Sequence, residues 1–201
     1  YPKESLYTLM KEKFQMTDDD FKAYSDDTGF DPVELPDHPV QLAPEHIEAL
    51  KAIVGEQNLS TTDYDRLSVA YGATAYDLLR LRHKRIDSVP DVVLYPETSE
   101  QVEQIVAYST EHHIPLYVYG GGSSVTRGVE PTKGGISLDM RRNFNKVISF
   151  NEIDQTITVQ AGMSGPDLEK TLQNAPELFG AKRQYTCGHF PQSFEYSSVG
   201  G

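Results

Sequence analysis

An α+β fold is what this sequence predicts, and three observations carry it. Two β-branched and aromatic runs, at 91–96 and 114–119, are joined by a stretch with helical spacing. The second run delivers the chain into three consecutive glycines, Gly120-Gly121-Gly122, followed by Ser123 and Ser124. Beyond Gly135, apolar residues alternate with polar ones at the period of two that marks half-buried strands. Residues 1–85 read instead as helices and linkers. The expected organisation is an N-terminal helical extension over 1–85 and a strand-bearing domain over 86–201.

Composition bounds the function. The 201 residues leave room for one good core with an extension. The balance of 18 basic against 30 acidic residues gives a formal charge of −12. That field opposes nucleic acid and anionic membranes, whose recognition needs the opposite sign. No run approaches the length of a membrane span, and no apolar leader segment is visible near Tyr1. A single cysteine, Cys187, forbids an internal disulfide and fits a reducing, cytoplasmic location.

Each element has its own signal. A short helix is expected over 2–14, and Thr17-Asp18-Asp19-Asp20 resembles an N-cap with acids in the first turn. Up to Asp37, ten acids face four lysines, as in a peripheral segment. The stretch 31–44 holds Pro32, Pro36, Pro39 and Pro44 and reads as extended linker. Pro44 suits the first turn of a helix running to about Val54, with Ile47, Leu50 and Ile53 on one face and Gly55 as its stop. Thr61-Thr62-Asp63 opens another short helix. Thr74 caps a further one over 76–83, with Leu78, Leu79 and Leu81 expected inward. Arg66, Arg80, Arg82, Lys84 and Arg85 make one basic neighbourhood in an acidic chain. They either pair with nearby acids or set one guanidinium against an anion at the glycine turn.

The strand-bearing half follows. Asp91-Val92-Val93-Leu94-Tyr95-Pro96 is a buried strand closed by proline. Thr98-Ser99-Glu100-Gln101 resembles a capping box, and Val102, Ile105, Val106 and Ser109 mark a helical face. Strand, helix and strand make a right-handed βαβ unit, so the glycine turn lies at a carboxyl strand end, where ligands bind in such sheets. A strand over 136–140 and a hairpin over 146–160 come next, and Ser164 caps a helix to about Gln173 with Leu168 and Leu172 inward. No internal repeat or low-complexity tract interrupts this order.

Glycine lacks a Cβ, so successive N–H groups in a Gly-Gly-Gly turn can converge on an anion, with Ser123 and Ser124 adding hydroxyls. The same composition also describes a flexible loop. It is not a dinucleotide-binding fingerprint, because Gly128 opens no helix and the chain runs through Pro131 and Gly134-Gly135 to a strand. His112-His113 ends a helix, where it complements the dipole, and no spacing argues for a metal.

Taken together, Pro90 to Pro96, Tyr119 to Val125 and Gly135 to Met140 stand in the order of a particular flavin domain. The chain resembles the FAD-linked oxidase family, of the vanillyl-alcohol oxidase or p-cresol methylhydroxylase type. Val159-Gln160-Ala161-Gly162 and Asp167-Leu168-Glu169 match as well. The stretch from Gly188 to Gly201 is similar to the branch containing alkyldihydroxyacetonephosphate synthase and its bacterial homologues, as are Asp65-Arg66, Tyr71-Gly72 and 77–82. The resemblance covers roughly residues 60–201.

It implies an FAD-binding domain of the p-cresol methylhydroxylase type: the first βαβ subdomain and the start of the second. By this likeness Val118, Tyr119, Gly120, Gly121, Gly122, Ser123, Ser124 and Val125 form the loop whose amides hold the FAD pyrophosphate. His189, Pro191, Gln192, Ser193, Ser197 and Ser198 belong to a second cofactor-contacting segment, with Gly200 and Gly201 allowing close backbone approach. Gln192 stands where an acidic residue is expected in the animal synthase, which favours the bacterial homologues. Residues 119–128 contain no histidine, and Cys187 lies far upstream of Gly200, so non-covalent FAD is expected, with the thiol buried and inert. His189 is expected either near the flavin or in a structural turn.

The implied activity is an FAD-dependent oxidation of a small hydroxy acid or alcohol by a longer parent protein. The alternatives are ether-lipid synthase chemistry, and a binding module without activity of its own. The chain is expected to stop inside its motif, with the substrate domain and catalytic residues beyond Gly201. Expected partners are a small-molecule substrate and, for the parent, a second copy in a homodimer.

Overall fold

The computed structural model describes residues 4–22 and 32–201. They fall into two compact units, 1–33 and 34–201. The first unit holds α1 (Glu4–Phe14) and α2 (Asp18–Lys22). Thr17 leads into α2 with both its backbone N–H and its hydroxyl donating to Asp20, at 2.7 and 2.8 Å, which holds the Asp20 carboxyl below its ordinary range. Tyr7 packs edge-on against Phe21 at 4.6 Å. The expected helix start at Pro2 lies outside the described residues.

In the second unit residues 34–43 of the proline-rich stretch form neither helix nor strand, with a turn at Pro36 and Asp37, yet they are fastened down. Leu35 is buried and its N–H donates to Asp63; the Gln41 N–H donates to Asp91. Buried Arg66 donates to the carbonyls of His38 and Pro90 and pairs with Asp63. Helix α3 (Pro44–Val54) begins at its proline and stops at Gly55, whose φ of 88° only glycine adopts without strain. Leu50 and Val54 are buried and Ile47 and Ile53 pack against the same core. A single turn of 3-10 helix leads to β1 (Leu59–Ser60), a two-residue strand too short to leave a periodic signal.

Two short helices follow. In α4 (Asp63–Ser68) and α5 (Ala75–Arg82), Thr62 and Thr74 cap as their hydroxyl positions dictate, and Thr74 forms a reciprocal capping box with Asp77. The inward face of α5 is a correction to the apolar pattern. Leu78 and Leu79 are 62% and 55% exposed, while Asp77 and Arg80 are buried. Charge pairing overrides hydropathy here: Arg80 binds Asp77 at 2.8 Å and Glu130 at 2.8 Å, so both charges enter the interior together.

The sheet contains β1, β2 (Val92–Leu94), β3 (Leu116–Tyr119) and β4 (Ile136–Asp139), in the order β1-β2-β4-β3. Strands β2 and β3 both run parallel to β4, and β1 pairs antiparallel with β2. Thus β2, α6 (Ser99–Glu111) and β3 form the anticipated crossover, with β4 inserted between its two strands. Every residue of β2 and β4 is buried, as parallel strands covered on both faces should be. Val92, Leu94, Ile105, Ile136 and Leu138 make the main core with α3 and α6. Val106, expected on the inward face of α6, is 45% exposed; Ile105 and Ser109 fill that face. The rings of His46, Tyr108 and His112 meet edge-on or tilted where α3 meets α6, and His112 caps α6.

The predicted hairpin is present as β5 (Val147–Asn151) and β6 (Thr156–Val159), antiparallel with a bulge near Ile148. The Asn151 side chain accepts from the N–H groups of Ile153 and Asp154, closing the turn. Ser164 then caps α7 (Gly165–Gln173), with Leu172 buried and Leu168 half-buried, and α8 (Ala175–Phe179) ends at left-handed Gly180.

Candidate functional site

Strand β3 is the sheet edge that carries the glycine turn. Its last residue, Tyr119, pairs with Asp139 and accepts from the Met140 N–H at 3.1 Å. The Tyr119 ring is buried with Val69, Val93 and Tyr95, and the Arg141 guanidinium lies 4.7 Å above it. Burial pushes the Tyr119 phenol up, with Arg141 opposing, while Arg141 itself is held by Asp139 at 2.6 Å. This fixes the strand end from which the turn departs.

Glycines 120 and 121 meet a segment more than seventy positions later. A Cβ on Gly121 would stand 1.8 Å from the Tyr196 carbonyl oxygen and 2.7 Å from the Ser197 Cα. One on Gly120 would stand 2.3 Å from the Ser198 hydroxyl oxygen. Only residues without a side chain let these two stretches of backbone touch. The Ser123 and Ser197 hydroxyls share a hydrogen bond at 3.0 Å across the same seam.

The later segment is built as a tight turn docked on a strap. Ser193 has a φ of 64°, and its carbonyl accepts from the N–H groups of Tyr196 and Ser197 at 2.8 Å each. The chain then lies along residues 161–165: Gly165 N–H donates to Ser197, Val199 N–H to Met163 and Gly200 N–H to Ala161. A Cβ on Gly200 would come within 2.5 Å of that of Ala161, so this contact too requires glycine. The Ser198 side chain ends up buried with no hydrogen-bond partner for its hydroxyl.

Beside the seam lies a cleft of about 450 Å³. Leu168, Phe194 and Pro191 give it apolar walls, and Ser197, Ser198 and Gly201 its inner edge. Cys187, His189 and Gln192 also line it. Glu169 on α7 braces this wall by accepting from the Cys187 N–H and the Thr186 hydroxyl, both at 3.1 Å. Its partial burial pushes that carboxyl up, but these bonds and one from Gln173 win and hold it below its ordinary value. The Cys187 thiol is half-buried and not sealed in a core, because 181–191 is irregular chain without a helix or strand over it. It donates to the His189 carbonyl at 3.3 Å.

Residues 90–201 match the family model of an FAD binding domain, more than half of the chain. The chain belongs to the FAD-binding domain family. Its cofactor is FAD. An alkyldihydroxyacetonephosphate synthase of Dictyostelium discoideum is 32% identical over 166 residues, 81% of this chain and 26% of that protein. The cytochrome-type D-lactate dehydrogenase 1 of Saccharomyces cerevisiae, a mitochondrial protein, is 29% identical over 67% of this chain and 23% of its own length. Among solved structures, an alkyldihydroxyacetonephosphate synthase superposes with a TM-score of 0.76 at 29% identity, covering 98% of this chain and 34% of that one. p-Cresol methylhydroxylase superposes over 68% of this chain and 26% of its own at a TM-score of 0.52 and 16% identity, a likeness of fold alone. The chain therefore spans about a quarter of the length of the curated relatives it matches.

The FAD-binding domain brings together most of the residues expected from its sequence. Gly120, Gly121, Ser123, Ser197, Ser198 and Gly201 converge on one seam, and Pro191, Gln192 and His189 stand on the cleft beside it. Val118 and Val125 are 59% and 69% exposed, and the Tyr119 side chain belongs to the core, so Tyr119 can offer a ligand in the seam only backbone. The buried, unpartnered Ser198 hydroxyl and the bare glycine backbone facing it fit a ligand rich in acceptor oxygens, as the phosphate-bearing part of FAD is. Two members of the basic neighbourhood are not free to face an anion at the turn: Arg80 and Arg66 are buried on carboxylates and carbonyls. Sequence reading missed the strap at 161–165 and the contact of Gly72 and Ala73 with Ser124. Both are backbone contacts, and their only trace in the sequence is a glycine: Gly162, Gly165 and Gly72.

Proposed function

We propose that the glycine turn (Gly120 to Ser124) and the second segment (Gln192 to Gly201) together bind FAD non-covalently, the turn at its pyrophosphate. The observation that carries this reading is the Ser198 hydroxyl, desolvated and unpaired at the contact of Gly120 with Gly201. A buried hydroxyl without a partner costs about 1–3 kcal/mol, a cost that a bound oxygen or amide of the cofactor offsets. Non-covalent attachment is supported by the lack of histidine between 119 and 128 and by a thiol already engaged with a carbonyl. FAD, when bound, supplies a two-electron acceptor; this chain's residues bind and orient it and exclude water from its phosphates.

The parent activity we infer is oxidation of a small hydroxy acid or alcohol, with the substrate-positioning residues outside this chain. Its support is the family, together with the D-lactate dehydrogenase relative. The second reading, alkyldihydroxyacetonephosphate synthase chemistry, is favoured by the 32% identity to the Dictyostelium protein. Against it, Arg80, the candidate that suggested a phosphate-substrate pocket, is consumed by internal carboxylates. Anaerobic addition of 2-hydroxy acids to the full-length protein separates the two. Bleaching of the flavin absorbance without any fatty alcohol supports the oxidase; exchange of an acyl for an alkyl chain with no bleaching supports the synthase.

A further inference from the structure

We propose that residues 71–80, upstream of the matched FAD-binding region, are a positioning clamp for the cofactor turn, closed by Arg80 on Glu130. The proposal rests on the assignment of Gly120 to Ser124 to the cofactor. The loop that leaves this turn is held at both ends, and both holds come from the same short stretch. At its start, the Ala73 N–H donates to the Ser124 carbonyl at 2.9 Å, and a Cβ on Gly72 would stand 2.2 Å from that same oxygen. At its finish, Glu130 is 5% exposed and divides its carboxylate between Arg80 at 2.8 Å and Arg127 at 2.7 Å.

Arg80 is placed for this by its own helix. Asp77, fully buried, holds one guanidinium nitrogen at 2.8 Å while its other oxygen accepts from the Thr74 N–H. The guanidinium plane lies 3.8 Å from the Tyr71 ring centre, and the Tyr71 hydroxyl accepts from the N–H groups of Asp87 and Ser88. Tyr71, Gly72, Ala73, Thr74, Asp77 and Arg80 thus form one rigid bracket against 124–130. A scaffold needing only stability would be served by apolar packing here at least as well. What ion pairs and a bare glycine add is a fixed register between bracket and loop, and so a fixed direction for the amides of the turn.

The test uses the full-length flavoprotein, stripped of flavin and titrated with FAD at a temperature where circular dichroism shows each variant folded. Gly72→Ala leaves every charge in place and presses on Ser124, chiefly its carbonyl; Arg80→Met opens the other end. A positioning clamp predicts that the folded variants bind FAD at least tenfold more weakly than the parent. Were the bracket merely structural, the unfolding midpoint would fall while the folded protein's FAD affinity stayed within twofold, and that result overturns the clamp. If Arg80→Met does not fold, Gly72→Ala decides alone. A parent protein that takes up no FAD overturns the cofactor assignment itself, and the clamp with it.

Discussion

Single atoms decide the seam between the glycine turn and the second segment. The Ser198 hydroxyl has been taken out of water and left without a partner, which is costly to the free protein and, in the proposed complex, offset by the cofactor. Ser198→Ala should therefore leave the apoprotein's melting temperature unchanged or raised while weakening FAD binding about tenfold, the ~1.4 kcal/mol of one lost hydrogen bond. Equilibrium dialysis and thermal denaturation of the same preparation check both halves. Gly121→Ala acts oppositely: its methyl would meet the Tyr196 carbonyl, so apoprotein stability should fall by about 1–3 kcal/mol and FAD retention should be lost. At this scale the sequence was informative where chemistry is carried by the absence of a side chain. Three glycines and two serines can be read directly, whereas the identity of the distant backbone they touch, Tyr196 and Ser197 against Gly121 and Ala73 against Ser124, cannot.

Elements tell a different story, because local patterns and tertiary charge compete. Pro44, Thr62, Thr74, Thr98 and Ser164 placed five helix starts to within a residue, since a cap is a contact between near neighbours and the fixed φ of Pro44 suits a first helical turn. Helix α5 defeated the hydropathy pattern, because its inward residues are the charged ones and their partner, Glu130, is fifty positions away. Asp77→Ala should destabilise the protein by about 3–5 kcal/mol, leaving Arg80 buried with one carboxylate fewer and the capping box broken. Chemical denaturation of parent and variant measures this. Glu130 adds a pH dependence. Burial would raise its carboxyl, but the bonds from Arg127 and Arg80 prevail and hold it at about 2, below the ordinary 4.5. Its contribution is complete above the ordinary carboxylate range and is lost as pH falls toward about 2. The stability difference between parent and Glu130→Gln should accordingly shrink as acid is added, as melting curves at a series of pH values would show.

At the scale of the whole unit over 34–201, a sheet's edge strand delivers a glycine turn, and a second segment folds back to meet it. Strand, helix, strand and hairpin were legible because their periodicities are local; the insertion of β4 between β2 and β3 was not, since strand order leaves no mark on spacing. Among the described residues no helix is long and apolar enough to cross a membrane, and no cluster of side chains could hold a metal ion. What organises this unit is the seam between the glycine turn and the second segment, which we propose holds the cofactor, and the cofactor is therefore the quantity to measure. The most direct measurement is the absorbance spectrum of the purified full-length protein, taken before and after denaturation and filtration. The account predicts flavin bands in the native sample that pass wholly into the filtrate once the protein is unfolded. A protein that shows no flavin, even after reconstitution with FAD, would contradict it.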